Sequence, residues 1–335
     1  MKKTSLLPTD GEVSRYVELS LGRRFIRNQL AALSIILLGM MVTLSLLTRT
    51  FLTATNIFNV LRAFSWIAIA SFGQSIVIIG GGIDLSAGSN MALSGIVAGM
   101  FLVREYGVAL SVTLGLLITL LVGLANGAMV SKTKLPPFIA TLGTMSIVRG
   151  FCYGMTEGWP IRNLPRPFLA LGQTDVSVLI WQIPLPAILM VLFAILCSIL
   201  LGRTKLGYHI YAVGGNEYAA ELSGINVGRV KIIAFTLSGL LAGIGGILMT
   251  ARLGVAAPTA AQGYELDIIA AAVIGGISLS GGEGNVWGAL IGAAIMQILR
   301  NALVLLGFPA YWQPAAIGAV IIGAVMIDMY RKKKA

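Results

Sequence analysis

Asp84, Arg149, Glu265, Asp267 and Arg300 are among the charged residues of this chain that fall inside or at the margins of long apolar runs. Carboxylates and histidines at membrane depth are the usual seats of proton or sodium coupling. Here they stand at the edges. Asp84 lies in a Gly-rich break, Glu265 and Asp267 open an apolar run, Arg300 is near the end of one, and Arg149, late in another, is long enough to snorkel. Ion coupling is disfavoured on this pattern. His209 is the single histidine, which leaves neither a Ser–His–Asp arrangement nor a Cys/His metal cluster to build. None of the lysines follows a glycine, so the phosphate-binding Gly-Lys-Ser/Thr loop is absent. The Gly-rich stretch at 275–288 follows an apolar run rather than a strand, against a dinucleotide loop. If ATP is used, another chain binds it.

The other candidate is the longest polar segment between apolar runs, 203–231, with Arg203, Lys205, Arg229 and Lys231 at its ends. Asn216 is a good N-cap, since its side-chain oxygen can accept from an early backbone N–H. Glu217 favours the positive end of a helix dipole, and Gly224 can take the left-handed conformation that stops a helix. A helix of about two turns over 216–224 follows; alone in water it is marginal, so it packs on something. A solvated connecting loop is the plain alternative.

The elements around these residues are membrane spans. The chain is 57% hydrophobic and 11% charged, with a mean hydropathy of +0.89, far from the roughly one-quarter charged residues of a soluble domain. Ten apolar runs are long enough to read as spans, at about 30–47, 57–80, 88–103, 108–130, 137–153, 184–202, 231–251, 265–280, 286–306 and 312–330. An all-α polytopic membrane protein is expected, with residues 29–330 as its membrane domain. A basic cytoplasmic arm precedes it at 1–28, and a basic tail closes it at 331–335. With the N-terminus inside, six basic residues fall in the arm, two in 131–136, four at the ends of 203–231 and four in the tail: sixteen of the 24 Lys and Arg. This positive-inside asymmetry puts both termini in the cytoplasm, and it explains the net charge of +11 without nucleic acid. The 154–183 segment is then the largest outer connection, and Pro160, Pro165 and Pro167 suit an ordered loop. Cys152 and Cys197 read as small core residues.

GGIDLSAG at 81–88 and GGISLSGG at 275–282 agree at six of eight positions, each between two apolar runs. Two independent breaks or a duplicated bundle would produce this echo. Asp84 reads either as a cap for the following helix, with Ser86, Ser89 and Asn90 beside it, or as part of a gate. Gly284, Gly288 and Gly292 make a small-xxx-small face for close helix packing, either internal or between subunits.

Taken together, GGIDLSAGS at 81–89, PFIATLGTMSIVRG at 137–150, GGNEYAAELSGINV at 214–227 and PTAAQGYELDIIAAAVIGGISLSGGEG at 258–284 resemble the permease subunits of bacterial sugar ABC importers, the ribose/xylose/galactose type. The likeness runs from about Leu30 to Asp328, leaving out the N-terminal arm. Glu217, Ala219, Ala220 and Gly224 resemble the Glu-Ala-Ala-x-x-x-Gly loop of importer permeases, with Tyr218 interposed. The resemblance implies a ten-span permease of the bacterial inner membrane that works in pairs, most simply as a homodimer. Asn216, Glu217, Ala219, Ala220, Glu221 and Gly224 would form the coupling helix, on which ATP-binding cassette subunits dock. Small Ala219 and Ala220 would seat in a groove of that partner, and Glu217 and Glu221 would meet its basic residues. A periplasmic sugar-binding protein would deliver a monosaccharide. The permease would not be an enzyme and would bind no cofactor itself, ATP and Mg residing on the partner. A sugar needs hydroxyl partners and some aromatic surface, which nominates Asn90, Phe138, Thr141 and Tyr264 as pathway residues. A stand-alone secondary transporter or facilitator also explains the spans, but leaves the capped loop helix without a task. A membrane-embedded enzyme lacks the His/Asp/Glu cluster it would need.

Overall fold

The computed structural model describes residues 29–178 and 181–334; the basic arm at 1–28 lies outside the described residues. The chain is helical almost throughout. In order come α1 (Gln29–Leu47), α2 (Ala54–Ile79), α3 (Ala87–Leu102), α4 (Val108–Lys132), α5 (Pro137–Thr156) and α6 (Arg166–Gln173). A small antiparallel hairpin of β1 (Asp175–Val178) and β2 (Trp181–Pro184) follows, with Asp175 opposite Pro184. Then come α7 (Leu185–Arg203), α8 (Lys205–Gly215), α9 (Glu217–Leu222), α10 (Val227–Leu253), α11 (Tyr264–Ile274), α12 (Val286–Leu305) and α13 (Gln313–Lys334).

The core is built on α2, where every residue from Phe64 to Ile79 is buried. No amphipathic stripe is needed in a helix wrapped on all sides. Helix α10 crosses both α2 and α4, and glycines set how closely. Gly239 and Gly243 on α10 lie against Thr119 and Gly123 of α4, while Gly73 of α2 faces the Ser238 backbone. Without side chains at these points the backbones approach closely, the usual means of helix association in lipid. Gly288 and Gly292 of α12 face Gly275 and Ala271 at the end of α11, so these two make an internal contact, while Gly284 (φ +134°) lies before the helix against Ile277 and is not on that face. Cys152 and Cys197 are buried free thiols.

Among the described residues, six helices are long and apolar enough to cross a membrane: α1, α2, α4, α7, α10 and α12. Two of the ten runs read as spans are shorter helices. α3 has 16 residues and α11 only 11, about 24 and 16 Å long against a hydrocarbon core of about 30 Å. For α3 the run and the helix coincide, whereas for α11 the apolar run outlasts the helix. Gly81 takes a left-handed conformation after α2, and Gly276 does so inside the run expected at 265–280.

Described parts of the 154–183 connection pack on the bundle. Phe168 of α6 is fully buried, and Gln173 Nε2 donates to the carbonyls of Ala251 and Arg252 at the end of α10. Asp175 on the hairpin accepts from Arg62 of α2 through both carboxylate oxygens, at 2.5 and 2.6 Å.

Asp267 on α11 is buried and paired with Arg300 on α12, whose guanidinium also lies 5.0 Å from the centre of the Tyr264 ring. Removing one partner of such a pair strands a buried charge, at a cost of about 3–5 kcal/mol. Arg300→Leu is therefore expected to lower the thermal midpoint of the detergent-solubilised protein sharply. Arg300→Leu combined with Asp267→Asn should recover most of the loss, as read by a fluorescence melting scan.

Candidate functional site

Helix α9 forms for the local reasons visible in the sequence. Asn216 is extended (φ −159°, ψ 103°), and its Oδ1 accepts from the Ala219 N–H at 2.9 Å. At the other end Gly224 has φ +81°; its N–H donates to Glu221 O, and the Ile225 N–H donates to Ala220 O at 3.1 Å. That pair of bonds is the Schellman stop. Glu217 pairs with Lys231 at the start of α10, at 2.7 Å.

The two alanines divide. Ala220 is turned inward and packed in the main core at 4% exposure, whereas Ala219 is exposed. The outward surface of α9 consists of Tyr218 and Leu222, each 72% exposed, with Ala219 and Glu221. Residues four apart share a helix face, so Tyr218 and Leu222 form one apolar patch on a polar segment. Sequence reasoning passed over this pair, although its spacing was there to read.

Helix α8 was not expected. Thr204 caps it, Oγ1 accepting from the Gly207 N–H at 3.1 Å. Its last turn carries Gly214 to the point where the two Gly-rich breaks meet. The Gly282 N–H of the second break donates to Ile79 O at the end of α2, 2.8 Å away. A Cβ on Gly214 would strike both of those groups. Tyr211, one turn earlier, donates its hydroxyl to Gly284 O at 2.7 Å. Thus the segment leading directly into α9 is fitted, backbone to backbone, against both breaks.

The breaks share their construction. In the first, Gly81 N–H donates to Ile78 O and Gly82 N–H to Val77 O; in the second, Gly276 N–H donates to Val273 O and Ile277 N–H to Ala272 O. Each is a Schellman stop. Further on, the Ser86 N–H donates to Asp84 Oδ1 and the Ser280 N–H to Ser278 Oγ, the same turn two residues long. The first break has one extra glycine, Gly80–Gly82 against Gly275–Gly276, which accounts for the offset of the stops relative to the sequence echo.

Asp84 anchors a buried polar cluster behind the first break. Its Oδ1 accepts from the Ser86 N–H (2.9 Å) and hydroxyl (2.6 Å), and its Oδ2 from the Ser238 hydroxyl of α10 (2.8 Å). Gln74, with its amide oriented to satisfy both partners, donates to Asp84 O at 3.0 Å and accepts from the Asp84 N–H at 3.2 Å. Asn126 of α4 and Asn90 of α3 both donate to Ser86 Oγ, at 2.9 and 3.3 Å. Thr141 of α5 donates to Ile83 O at 3.0 Å. Five helices, α2, α3, α4, α5 and α10, are thereby tied to one non-helical turn. Asn90 and Thr141 are fully buried in this cluster, Phe138 is exposed, and Tyr264 is half-buried beside Arg300. Two carboxylates that sequence reasoning placed at the margins, Asp84 and Asp267, are in fact buried, because the chain around each folds back into the bundle.

The long apolar helices around paired breaks, with a short capped helix outside, are those of a multi-pass membrane protein. Residues 56–327 match the model of the family described as branched-chain amino acid transport system / permease component, and the chain belongs to that family. It is 44% identical over 299 residues to the ribose import permease protein of Bacillus subtilis (strain 168), covering 88% of this chain and 91% of that one. It is 35% identical to the xylose transport system permease protein of Haemophilus influenzae (strain ATCC 51907 / DSM 11121 / KW20 / Rd), covering 85% of this chain and 91% of that one. It is 33% identical to the L-arabinose ABC transporter permease protein of Azospirillum brasilense, covering 89% and 87%. No solved structure matches the chain.

Proposed function

We propose that this chain is the membrane-spanning subunit of an ATP-driven importer that moves a monosaccharide, a ribose-like pentose or a related sugar, into the cytoplasm by alternating access. The observation that carries this is the 44% identity to a ribose import permease over nearly the whole of both chains. In this reading two copies pair in the bacterial inner membrane, ten segments cross or enter the bilayer, and residues 29–330 form the permease domain. The arm at 1–28 and the tail at 331–335 are cytoplasmic. A periplasmic sugar-binding protein presents the sugar at the hairpin end. ATP and Mg belong to ATP-binding cassette subunits that seat on the outer face of α9.

The geometry supports a route for the coupling. Asn216, Glu217, Ala219, Ala220, Glu221 and Gly224 build the coupling helix: Asn216 and Gly224 fix its ends, Ala220 holds it to the permease, and Ala219 and Glu221 face the partner together with Tyr218 and Leu222. When the ATP-binding subunits close, α9 moves with them. Gly214 lies three residues before that helix and is wedged against both breaks, so displacement of α9 bears on the turns that end α2 and α11. Two discrete settings of those turns, biased by ATP, are what alternating access requires. Asp84 holds the first turn to α10 through Ser238 and fixes Ser86, on which Asn126 of α4 bonds, and so acts as the gate's anchor.

Buried apolar and aromatic anchors carry most binding energy at protein interfaces. Tyr218→Ala with Leu222→Ala is thus expected to reduce co-purification of an ATP-binding subunit at least tenfold from gently solubilised membranes, with the permease level unchanged. Undiminished co-purification would remove α9 as the docking element.

A further inference from the structure

The segment between α10 and α11, residues 254–263, is not helical, yet it runs deep into the bundle. Ala256 lies against Gly99 near one end of α3, and Ala261 lies against Gly88 at the other end. Eleven residues of helix separate those two contacts, roughly 16 Å along α3 at 1.5 Å per residue. Arg149 marks the same depth from the other side. Seven residues before the end of α5, roughly 10 Å in, its Nη1 donates to Pro258 O at 2.6 Å and Ala260 O at 2.8 Å. An arginine expected to snorkel instead holds an irregular backbone in place.

Irregular backbone at membrane depth is tolerated only where protein covers it or water lines it. Here part of the segment is uncovered. Thr259 and Gln262 are exposed, and neither side chain has a hydrogen-bond partner among the described residues. One turn before Arg149, Ser146 is exposed too, bonded only to Leu142 O of its own helix, and nothing lies within 4 Å of where a Cβ would stand on Gly143, Gly150 or Gly263. Lipid tails offer Thr259 and Gln262 no hydrogen bonds, so this part of the segment is not a lipid face.

The groups on it also select a chemistry. Glu265, the nearest carboxylate in sequence, is turned inward: Oε1 accepts from the Gly263 N–H at 3.2 Å and Oε2 is buried against Gly88. An ammonium group would find no partner there. Three exposed, uncharged donor–acceptor side chains, on the two segments that Arg149 joins, suit hydroxyl groups. We propose that Ser146, Thr259 and Gln262 form a hydroxyl-binding station on a water-lined solute route, one that accepts a neutral polyhydroxy solute rather than an amino-acid zwitterion. The solute class rests on the sugar-import reading above; the water-lined station does not.

The test uses the full chain with its partner subunits in membrane vesicles, carrying Ser146→Cys, Thr259→Cys or Gln262→Cys singly, with Leu38→Cys on the exposed apolar face of α1 as control. The probe is a membrane-impermeant cationic methanethiosulfonate, and the buried native thiols at Cys152 and Cys197 set the background. The three station cysteines are expected to react at least tenfold faster than Leu38→Cys, and the attached charge to cut ribose uptake at least fivefold. Reaction no faster than at position 38, or full uptake after labelling, would overturn the station. If the cysteines react but unmodified protein takes up no ribose, the water-lined surface stands and the sugar reading falls.

Discussion

Gly214→Ala is expected to reduce uptake more than tenfold while the ATP-binding subunit still co-purifies. The added methyl group would stand against Ile79 O and Gly282 N, the two atoms whose hydrogen bond joins the breaks. Backbone cannot yield as a flexible side chain can, and overpacking of this kind costs about 1–3 kcal/mol. The strain falls between α9 and the breaks and leaves the outer face of α9 untouched, so docking and transport should separate. Gly215→Ala is the matched control, because nothing lies within 4 Å of a Cβ at that position. Equal uptake by the two variants, measured with labelled ribose in vesicles, would break the link from α9 to the turns.

Asp84→Ala should do more damage to the fold than any surface change. The carboxylate accepts from a backbone N–H and two hydroxyls, all fully buried. Each buried donor left unpaired costs about 1–3 kcal/mol, and the bonds lost are those fixing the turn between α2 and α3. The expected result is a membrane level reduced severalfold and a clearly lower thermal midpoint in detergent. Asp84→Asn keeps an acceptor for the Ser86 N–H and can donate to Ser238 Oγ, so it should retain most of the stability. Ser238→Ala should cost about 1 kcal/mol, the scale of one ordinary hydrogen bond. If Asp84→Ala melts like wild type, the cluster is not what holds the break.

The contrast between α9 and α8 shows where sequence reasoning reached. The ends of α9 are written in Asn216 and Gly224, residues that act on their own neighbours, and the helix lies where they put it. Helix α8 starts locally at Thr204 but holds Gly207, Gly214 and Gly215, poor helix formers, and its last turn is seated on both breaks, contacts between distant residues that no local pattern announces. The 265–280 run read as one span for a related reason. Gly275 and Gly276 interrupt an apolar stretch without changing its hydropathy, and only the packing of Gly288 on Gly275 shows that the helix ends there. Asn90 and Thr141, named as pathway residues for their polarity, also have structural partners that the sequence did not show. Their types suit a sugar path, but their hydrogen bonds point to Ser86 and Ile83 inside the bundle. Thr259 and Gln262, uncovered on a non-helical segment, drew no notice because a loop is where polar residues are ordinarily found.

The most direct test of the central claim is ribose uptake by proteoliposomes holding the purified permease with its co-purified ATP-binding subunit, in the presence of the sugar-binding protein encoded with that subunit. Uptake should require ATP inside the ATP-binding compartment and the binding protein on the opposite side, and should vanish when Tyr218 and Leu222 are both alanine. Ribose entry through the permease alone, with neither ATP nor partner present, would contradict the account.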